Sequence, residues 1–342
     1  MSALDDALAR PALTVDGRDY AVADVAAAAL YLSEWSGVER RACAGTASLD
    51  RGDAPQPTEE DVSAAAAAFR RARRLLSAEE MEEWLARRGL TAGAWMRWVR
   101  ADLGRRRAEE AGGPQQPESG PVTASALWAE ALCSGALARS AQRLAELLVA
   151  PELTDEAVGR EQGKASPDPA PLSALGVDPE RARAMLDVLP ARRVALDRLA
   201  ERVATPQAVD ERLRARQTDW LAVDFRVLAL TEETAAREAL LCVRDDGLAL
   251  EEVAQLARAE LTRERTVLAD APPALQAHLL SAGPGELVGP LERDGHLAVL
   301  IVDAKLSPSP GDPEVSRRAR TELLDRALDR EMTTRVRRHD RL

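Results

Sequence analysis

The chain has 342 residues, of which 46% are apolar, so it is long enough for two or three modules with buried cores. Its 46 Lys and Arg residues are outnumbered by 57 Asp and Glu residues, which gives a net charge of -11. Because that charge would repel a polyphosphate backbone, nucleic acid is not an expected partner. Cys43, Cys133 and Cys242 lie far apart without a CxxC pair, which argues against a disulfide framework or a thiolate metal site.

The first residues are acidic and lack the basic stretch and apolar core of a signal peptide. No run approaches the roughly 18 apolar residues that a membrane span needs. We therefore expect a cytoplasmic protein with no membrane partner.

The first elements combine a turn with helix-start signals. Residues 13–32 begin with alternating apolar positions, turn at Asp16 and continue as an alanine-rich helix capped by Asp24. Further on, Thr58 and Asp61 predict a capping box at the start of a long helix. These signals indicate a short strand or turn followed by helices.

Two amphipathic helices then carry large apolar residues at positions i, i+3 and i+4. The residues are Met81, Trp84 and Leu85 in the first helix, and Trp95, Trp98 and Val99 in the second. Such stripes must be covered by other parts of the protein or by a ligand. The sequence leaves both alternatives open for the three tryptophans: the core of a helical lobe, or an exposed aromatic platform for an apolar peptide.

The middle of the chain is helical around a linker. Residues 113–122 are rich in Gly, Pro and Gln, which predicts a linker. Residues 123–149 form one helical pattern with a break at Gly135, and a second pattern covers 178–216.

The pattern changes at Trp220. LAVDFRVLAL alternates as a strand does, and two helices follow, the first ending at Gly247. A short helix, a turn over 283–295 and a strongly apolar strand over 296–306 come next. After a proline-rich spacer, residues 315–339 predict a closing amphipathic helix.

The string GPGELVGPLERDGHLAVLIVDAK at 283–305 resembles the end of parvulin-type peptidyl-prolyl isomerases. That family shows a Gly-Glu pair, a Gly-Pro pair shortly after it, a later Gly and then the last strand. Gly285-Glu286, Gly289-Pro290 and Gly295 follow this order. Residues 224–254 look like the opening strand and helices of the same family.

The wider layout resembles SurA-type and PrsA-type chaperones. The resemblance implies an α+β, predominantly helical fold, with a SurA-like helical lobe and a degenerate parvulin-like α/β domain. The implied domains are an N-terminal helical lobe over 1–112, the linker at 113–122, a helical segment over 123–218, a parvulin-like domain over 219–306, and a C-terminal helix over 307–342 that packs back on the lobe.

The departures from the family concern its catalytic cluster. Rotating a prolyl bond meets a barrier of about 18–20 kcal/mol, and parvulins meet it with two histidines and a Cys or Asp. By resemblance, these positions hold Arg226, Leu297 and Ala259 here. His296 lies one residue before Leu297, and alternation along a strand would place it on the opposite face. We therefore expect no catalytic residues, and neither a metal nor another cofactor.

The resemblance implies a non-catalytic, chaperone-like protein that binds a precursor or unfolded peptide. A narrower resemblance is to parvulin-related proteins encoded beside ribosomally made, modified peptides, which suggests presentation of a precursor peptide to peptide-modifying enzymes. The binding surfaces would be the degenerate parvulin groove and the cleft between lobes. The residues expected to line the groove are Phe225, Arg226, Ala271, Leu275, Leu279 and Leu297.

Arg226 has two interpretations, because it is the one charged residue inside an apolar stretch of strand. It is either a rim arginine with a snorkelling stem or a contact to a peptide carbonyl or carboxylate. Two alternative functions also stay open. One is an active prolyl isomerase that uses His296 or His278; the other is an obligate non-catalytic subunit of a synthetase that modifies peptides, for instance by Ser or Thr dehydration and cyclisation.

Overall fold

The computed structural model describes residues 2–50, 57–112, 122–151, 166–293 and 295–339. The chain forms two compact units, Met1–Leu199 with Arg326–Leu342, and Ala200–Asp325. Helices predominate and the described strands form two small antiparallel sheets, which confirms the predicted α+β, mainly helical fold class. The linker predicted at 113–122 lies outside the described residues, apart from Val122.

A β-hairpin opens the first unit. Pro11–Val15 (β1) pairs antiparallel with Arg18–Ala21 (β2), and Val336–Arg338 (β7) pairs with the other side of β1. Asp16 and Gly17 make the turn with positive φ angles of 49° and 80°. Asp and Gly tolerate this left-handed region better than other residues, which is why the turn forms here. The sequence indicated the turn but missed β7.

The other described elements of the first unit are helices. They are Ala3–Ala9 (α1), Val22–Tyr31 (α2), Trp35–Asp50 (α3), Glu59–Ala72 (α4), Ala78–Arg87 (α5), Ala92–Glu110 (α6), Ala124–Cys133 (α7), Ala136–Val149 (α8), Ala170–Ser173 (α9), most of Pro179–Val203 (α10) and the end of Pro313–Arg335 (α15). The predicted break at Gly135 is confirmed, since its φ of 73° separates α7 from α8. The sequence did not predict α3, which supplies part of the site below.

The predicted capping box at the start of α4 is confirmed. The Thr58 amide donates to Asp61 Oδ2 at 2.9 Å, and the Asp61 amide donates to Thr58 Oγ1 at 3.2 Å. Arg107 also pairs with Asp61 at 2.7 Å. The hydrogen bonds from Thr58, followed by the one from Arg107, lower the pKa of Asp61 to about 2.

The second unit is built on one antiparallel sheet. Its strands are Ala222–Leu230 (β3), Leu261–Val267 (β4), Leu287–Arg293 (β5) and His296–Leu306 (β6), in the spatial order β4-β3-β6-β5. Its helices are Pro206–Ala215 (α11), Glu233–Arg244 (α12), Leu250–Ala257 (α13) and Pro273–Ser281 (α14), together with parts of α10 and α15. The sequence missed β4, because its alternating Arg and Glu residues are typical of an exposed edge strand rather than a core strand. The residues of β5 lie in the segment 283–295, for which the sequence predicted a turn.

The sheet has an apolar core on each face. Val223, Phe225 and Val227 of β3 face one core, which α14 covers with Leu275 and Leu279. The alternate residues of β3 and β6 face the other core, under α12 and α13; among them are Leu228, Leu230 and Val299. Because side chains alternate along a strand, β3 and β6 each contribute to both cores.

Replacing Leu279 with Ala should lower the free energy of unfolding by about 2–5 kcal/mol, because the side chain is completely buried and its loss leaves a cavity. Its neighbour Leu280 on the same helix is 48% exposed. Leu280→Ala is therefore the matched control, and its effect should stay within about 0.5 kcal/mol. Denaturant unfolding followed by circular dichroism measures both, and equal effects would contradict the assignment of Leu279 to the core.

Asp61 should make the stability of the first unit depend on pH in acidic solution. Its pKa in the folded protein, about 2, lies below its ordinary value of 3.8, so its contribution is complete above pH 3.8 and is lost as the pH falls towards 2. Wild-type protein should thus be more stable than Asp61→Asn well above pH 3.8, and the difference should shrink between pH 3.8 and 2. Unfolding experiments at a series of pH values measure this difference in stability. If it does not change between pH 3.8 and 2, the capping box does not act through the charge of Asp61.

Candidate functional site

A cavity of about 330 Å³ lies among α3, α6 and α7 in the first unit. Each helix contributes residues spaced three or four apart, so one face of each helix forms a wall. The lining residues include Ala42, Gly45, Thr46 and Leu49 from α3, Ala94, Arg97, Trp98 and Ala101 from α6, and Ala126, Ala129 and Glu130 from α7. Many of them are small, and larger side chains at these positions would fill the space.

Small residues also allow α3 and α6 to approach closely beside the cavity. A Cβ atom added at Gly45 would lie 3.0 Å from Ala101 Cβ, and one added at Gly104 would lie 2.6 Å from Ser48 Oγ. Both distances are shorter than ordinary van der Waals contact, so a larger residue at either position would require Ala101 or the side chain of Ser48 to shift. The two helices thus pack closely beside the cavity.

A buried carboxylate joins the three helices at the cavity. Glu130 is 4% exposed; its Oε1 accepts a hydrogen bond from Arg41 Nε at 2.6 Å, and its Oε2 accepts one from Trp98 Nε1 at 2.8 Å. A buried carboxylate is costly unless it is paired and hydrogen-bonded, and here both oxygens have partners. Glu130 therefore holds an arginine of α3 and an indole of α6 in fixed positions at the cavity wall.

The aromatic stripe predicted from the sequence divides between core and cavity. Phe69 is the centre of the cluster, with its ring centroid 5.6 Å from those of Trp84, Trp95 and Trp98. Trp84 and Trp95 are buried, whereas Trp98 is half-buried and lines the cavity. Trp84 and Trp95 are thus core residues, and Trp98 alone among the three presents a surface to the cavity.

Most charged groups that line the cavity already have partners. Arg41 is paired with Glu130, and Asp102 is paired with Arg105 at 2.5 Å and with Arg106 at 2.6 Å. Arg97 is exposed and makes no hydrogen bond or ion pair with any residue in the described ranges. Within the described part of the chain, the cavity therefore combines apolar walls with an arginine that has no protein partner.

Four of the six residues predicted to line a groove lie in the core of the second unit. Phe225, Ala271, Leu275 and Leu279 are buried together where α14 covers the sheet. Leu275 and Leu279 come from α14 itself, and they pack with Phe225 of the sheet beneath it. The contact of these four residues with a peptide stays a prediction. Their apolar character reflects core packing.

Arg226 and Leu297 lie on the opposite face of the sheet, so the six residues do not share one surface. Arg226 Nη1 donates to Glu251 at 2.5 Å, and its Nε donates to Asp303 at 2.9 Å. The bond to Asp303 and then the bond to Glu251 raise the pKa of Arg226 above its ordinary value. This geometry favours the rim-arginine interpretation, since the guanidinium is already bound by two carboxylates. Leu297 packs against the core under α12 and α13, and its contact with a peptide stays a prediction.

The histidines do not form a cluster in the described chain. His296 shares a face with Ala298, opposite to Leu297, and is exposed, whereas His278 lies on α14. His339 Nε2 lies 2.8 Å from Thr14 Oγ1 in the first unit. Among the described residues, no group of three or more His, Cys, Asp or Glu side chains is arranged to bind a metal, and no helix is both long and apolar enough to cross a membrane.

The cysteines differ in burial. Cys133 is buried in α7, and burial raises the pKa of its thiol to about 12, so it is not a reactive thiolate at neutral pH. Cys43 and Cys242 are half-buried. Cys133 thus behaves as a small buried apolar residue.

The spacing of apolar residues in the sequence indicated Trp98, but no pattern indicated Arg41, Arg97 or Glu130. One signal for Glu130 was available, because it is the only charged residue in the apolar helix ASALWAEALC. A charge inside such a helix requires a buried partner or a functional role. The partners come from α3 and α6, which are distant along the chain, so the sequence did not reveal them.

No protein-family model and no curated protein sequence matches the chain. It is similar to a solved structure of the peptidylprolyl isomerase PrsA from Bacillus anthracis, with 15% identity and a TM-score of 0.30, over 56% of this chain and 95% of that one. A structure of PrsA from Bacillus subtilis has 10% identity and a TM-score of 0.23, over 64% and 90% of the two chains.

A third similar structure comes from a study of PEB4 and Cj1289, described as SurA-like chaperones of Campylobacter jejuni. It has 9% identity and a TM-score of 0.19, over 61% of this chain and 89% of that one. The solved structures to which this chain is similar thus include PrsA and SurA-like chaperones. At such low identities and scores, the likeness alone establishes neither the family nor the activity of this chain.

Proposed function

We propose that the protein is a non-catalytic, chaperone-like protein that binds an extended peptide segment and holds a bulky apolar side chain in the cavity among α3, α6 and α7. One observation carries the proposal: the half-buried indole of Trp98 forms a wall of an apolar cavity and is fixed there by the buried Glu130. The cavity is formed by the chain itself, so a ligand would meet a prepared site.

The size and chemistry of the cavity fit one large side chain. Ligand pockets in proteins measure about 300–1,000 Å³, and this one lies at the lower end with about 330 Å³. The alanine side chains and Trp98 supply apolar contact, and Thr46, Thr123 and Ser125 also line the cavity. The Thr46 hydroxyl donates to Ala42 O at 2.9 Å and can still accept, whereas the Thr123 hydroxyl accepts from the Ala126 amide at 3.2 Å and can still donate. Hydroxyl groups can bond to the N–H and C=O groups of a peptide backbone.

The geometry of the second unit does not favour prolyl isomerisation. Arg226 is bound to two carboxylates, and Leu297 and Ala259, which occupy the other positions of the family's cluster by resemblance, have no polar side-chain atoms. An isomerase must stabilise the twisted amide more strongly than the planar one. These three side chains offer no free polar group for that task, so the proposal assigns no catalytic step to them.

We further propose that the client is a precursor peptide that the protein presents in the cytoplasm to peptide-modifying enzymes. The support is the narrower resemblance to parvulin-related maturation proteins, together with a cavity suited to a single side chain. A site for one side chain would hold one segment of a peptide and leave the rest accessible to an enzyme.

Filling the cavity should weaken peptide binding. A suitable probe is a short fluorescent peptide with one central Phe in a Gly-Ser background, with Ala in place of Phe as the reference peptide. Fluorescence anisotropy should show that Ala126→Leu raises the Kd for the Phe peptide about tenfold or more, because a buried Phe side chain is worth about 1.5–3 kcal/mol.

Ala124→Leu is the matched control, since Ala124 lies on the same helix but does not line the cavity. It should bind the Phe peptide as wild-type protein does. If both variants bind the peptide equally well, or if wild-type protein does not distinguish Phe from Ala, the cavity is not the binding site.

The proposed client can be tested by capture from native cytoplasm. Tagged full-length protein, recovered with its bound peptides, should carry one small precursor peptide and its modifying enzymes, which mass spectrometry would identify. Ala126→Leu should recover less of the peptide than Ala124→Leu does. A broad mixture of unfolded proteins would instead indicate a general chaperone and contradict the precursor proposal.

A further inference from the structure

The charges around the cavity indicate which peptide segments it would select, if the cavity binds peptides as proposed above. Two acidic groups line it, Asp102 and Glu130, and both are engaged by arginines. A basic ligand would have to compete with those arginines for each carboxylate. The cavity therefore offers no free acidic group to a lysine or arginine of a ligand within the described residues.

The lining offers a positive charge instead. Arg97 is exposed, lines the cavity and has no ionic or hydrogen-bonding partner in the described part of the chain. Its planar guanidinium is suited to a carboxylate, with which it can form two parallel hydrogen bonds.

The position of Arg97 relates the carboxylate to the apolar side chain. Arg97 directly precedes Trp98 on α6, and both line the cavity together with Ala94 and Ala101. An extended peptide advances about 3.3–3.6 Å per residue, so an arginine side chain reaches a group one or two residues away from the inserted side chain. The apolar residue and the carboxylate would thus be close neighbours in the peptide sequence.

We infer that the cavity selects peptide segments in which a bulky apolar residue is flanked closely by Asp or Glu, with Trp98 contacting the apolar side chain and Arg97 pairing with the carboxylate. This inference rests on the proposed peptide-binding function. It adds a preference for acidic flanking residues that apolar contact alone would not give.

The test compares two short peptides with a central Phe in a Gly-Ser background, one with Asp and the other with Asn on both sides of the Phe. Wild-type full-length protein should bind the Asp peptide about two- to fivefold more tightly at low salt, which is the range of an exposed ion pair. The preference should diminish as salt screens the charges. Arg97→Gln should reduce the ratio of the two Kd values to about one.

Arg71→Gln is the matched control, because Arg71 is an exposed arginine of α4 outside the cavity. This variant should keep the wild-type ratio, and circular dichroism would verify that both variants are folded. A preference that persists in Arg97→Gln would overturn the role of Arg97. If wild-type protein binds both peptides equally, the acidic preference is wrong and the proposed function stands. If it binds neither peptide, the proposed function itself fails.

Discussion

The candidate site depends on the hydrogen bonds that Arg41 and Trp98 donate to the buried carboxylate of Glu130. Three helices that are distant along the chain meet at this side chain. An unpaired carboxylate in this position would be strongly unfavourable, so the helices must bring both donors to it. The same requirement holds the indole of Trp98 against the cavity, where a flexible side chain could otherwise turn away. A group that stabilises the packing thus also shapes the site.

Small residues are the second condition for the cavity. Glycine at Gly45 and Gly104 brings α3 and α6 together, whereas alanines on the facing helices leave open space beside that contact. Protein interiors usually fill such space with larger side chains. A cavity that is lined by small residues and bordered by a fixed indole has the properties of a binding site for one side chain, which is why the proposed function is assigned to the helical unit.

In the second unit, strand β3 contributes side chains to two apolar cores, one on each face of the sheet. Phe225 and Arg226 are neighbours in the sequence, yet one is enclosed under α14 and the other is paired with Glu251 and Asp303 on the opposite face. The resemblance to a family of isomerases implied that both residues line one groove. The pleat of the strand separates them, so they cannot act on the same face.

Local signals in the sequence determined the helical class, the capping box at Thr58 and Asp61, the break at Gly135 and the first strand of the second unit. Each depends on residues within a few positions of one another, so periodicity and capping chemistry suffice to predict it. The short strand β7 and the charged edge strand β4 were missed, because pairing with a distant strand decides whether such segments become strands.

The candidate site could not be predicted from local sequence patterns for the same reason. Glu130, Arg41 and Trp98 come from three separate helices, and which faces of these helices meet is decided by packing over the whole unit. The sequence by itself determined that the stripe of tryptophans had to be covered. The tertiary structure alone decided that Trp84 and Trp95 lie in the core and that Trp98 lines a cavity. The residues that cover each tryptophan side chain are far away in the sequence, so local patterns do not identify them.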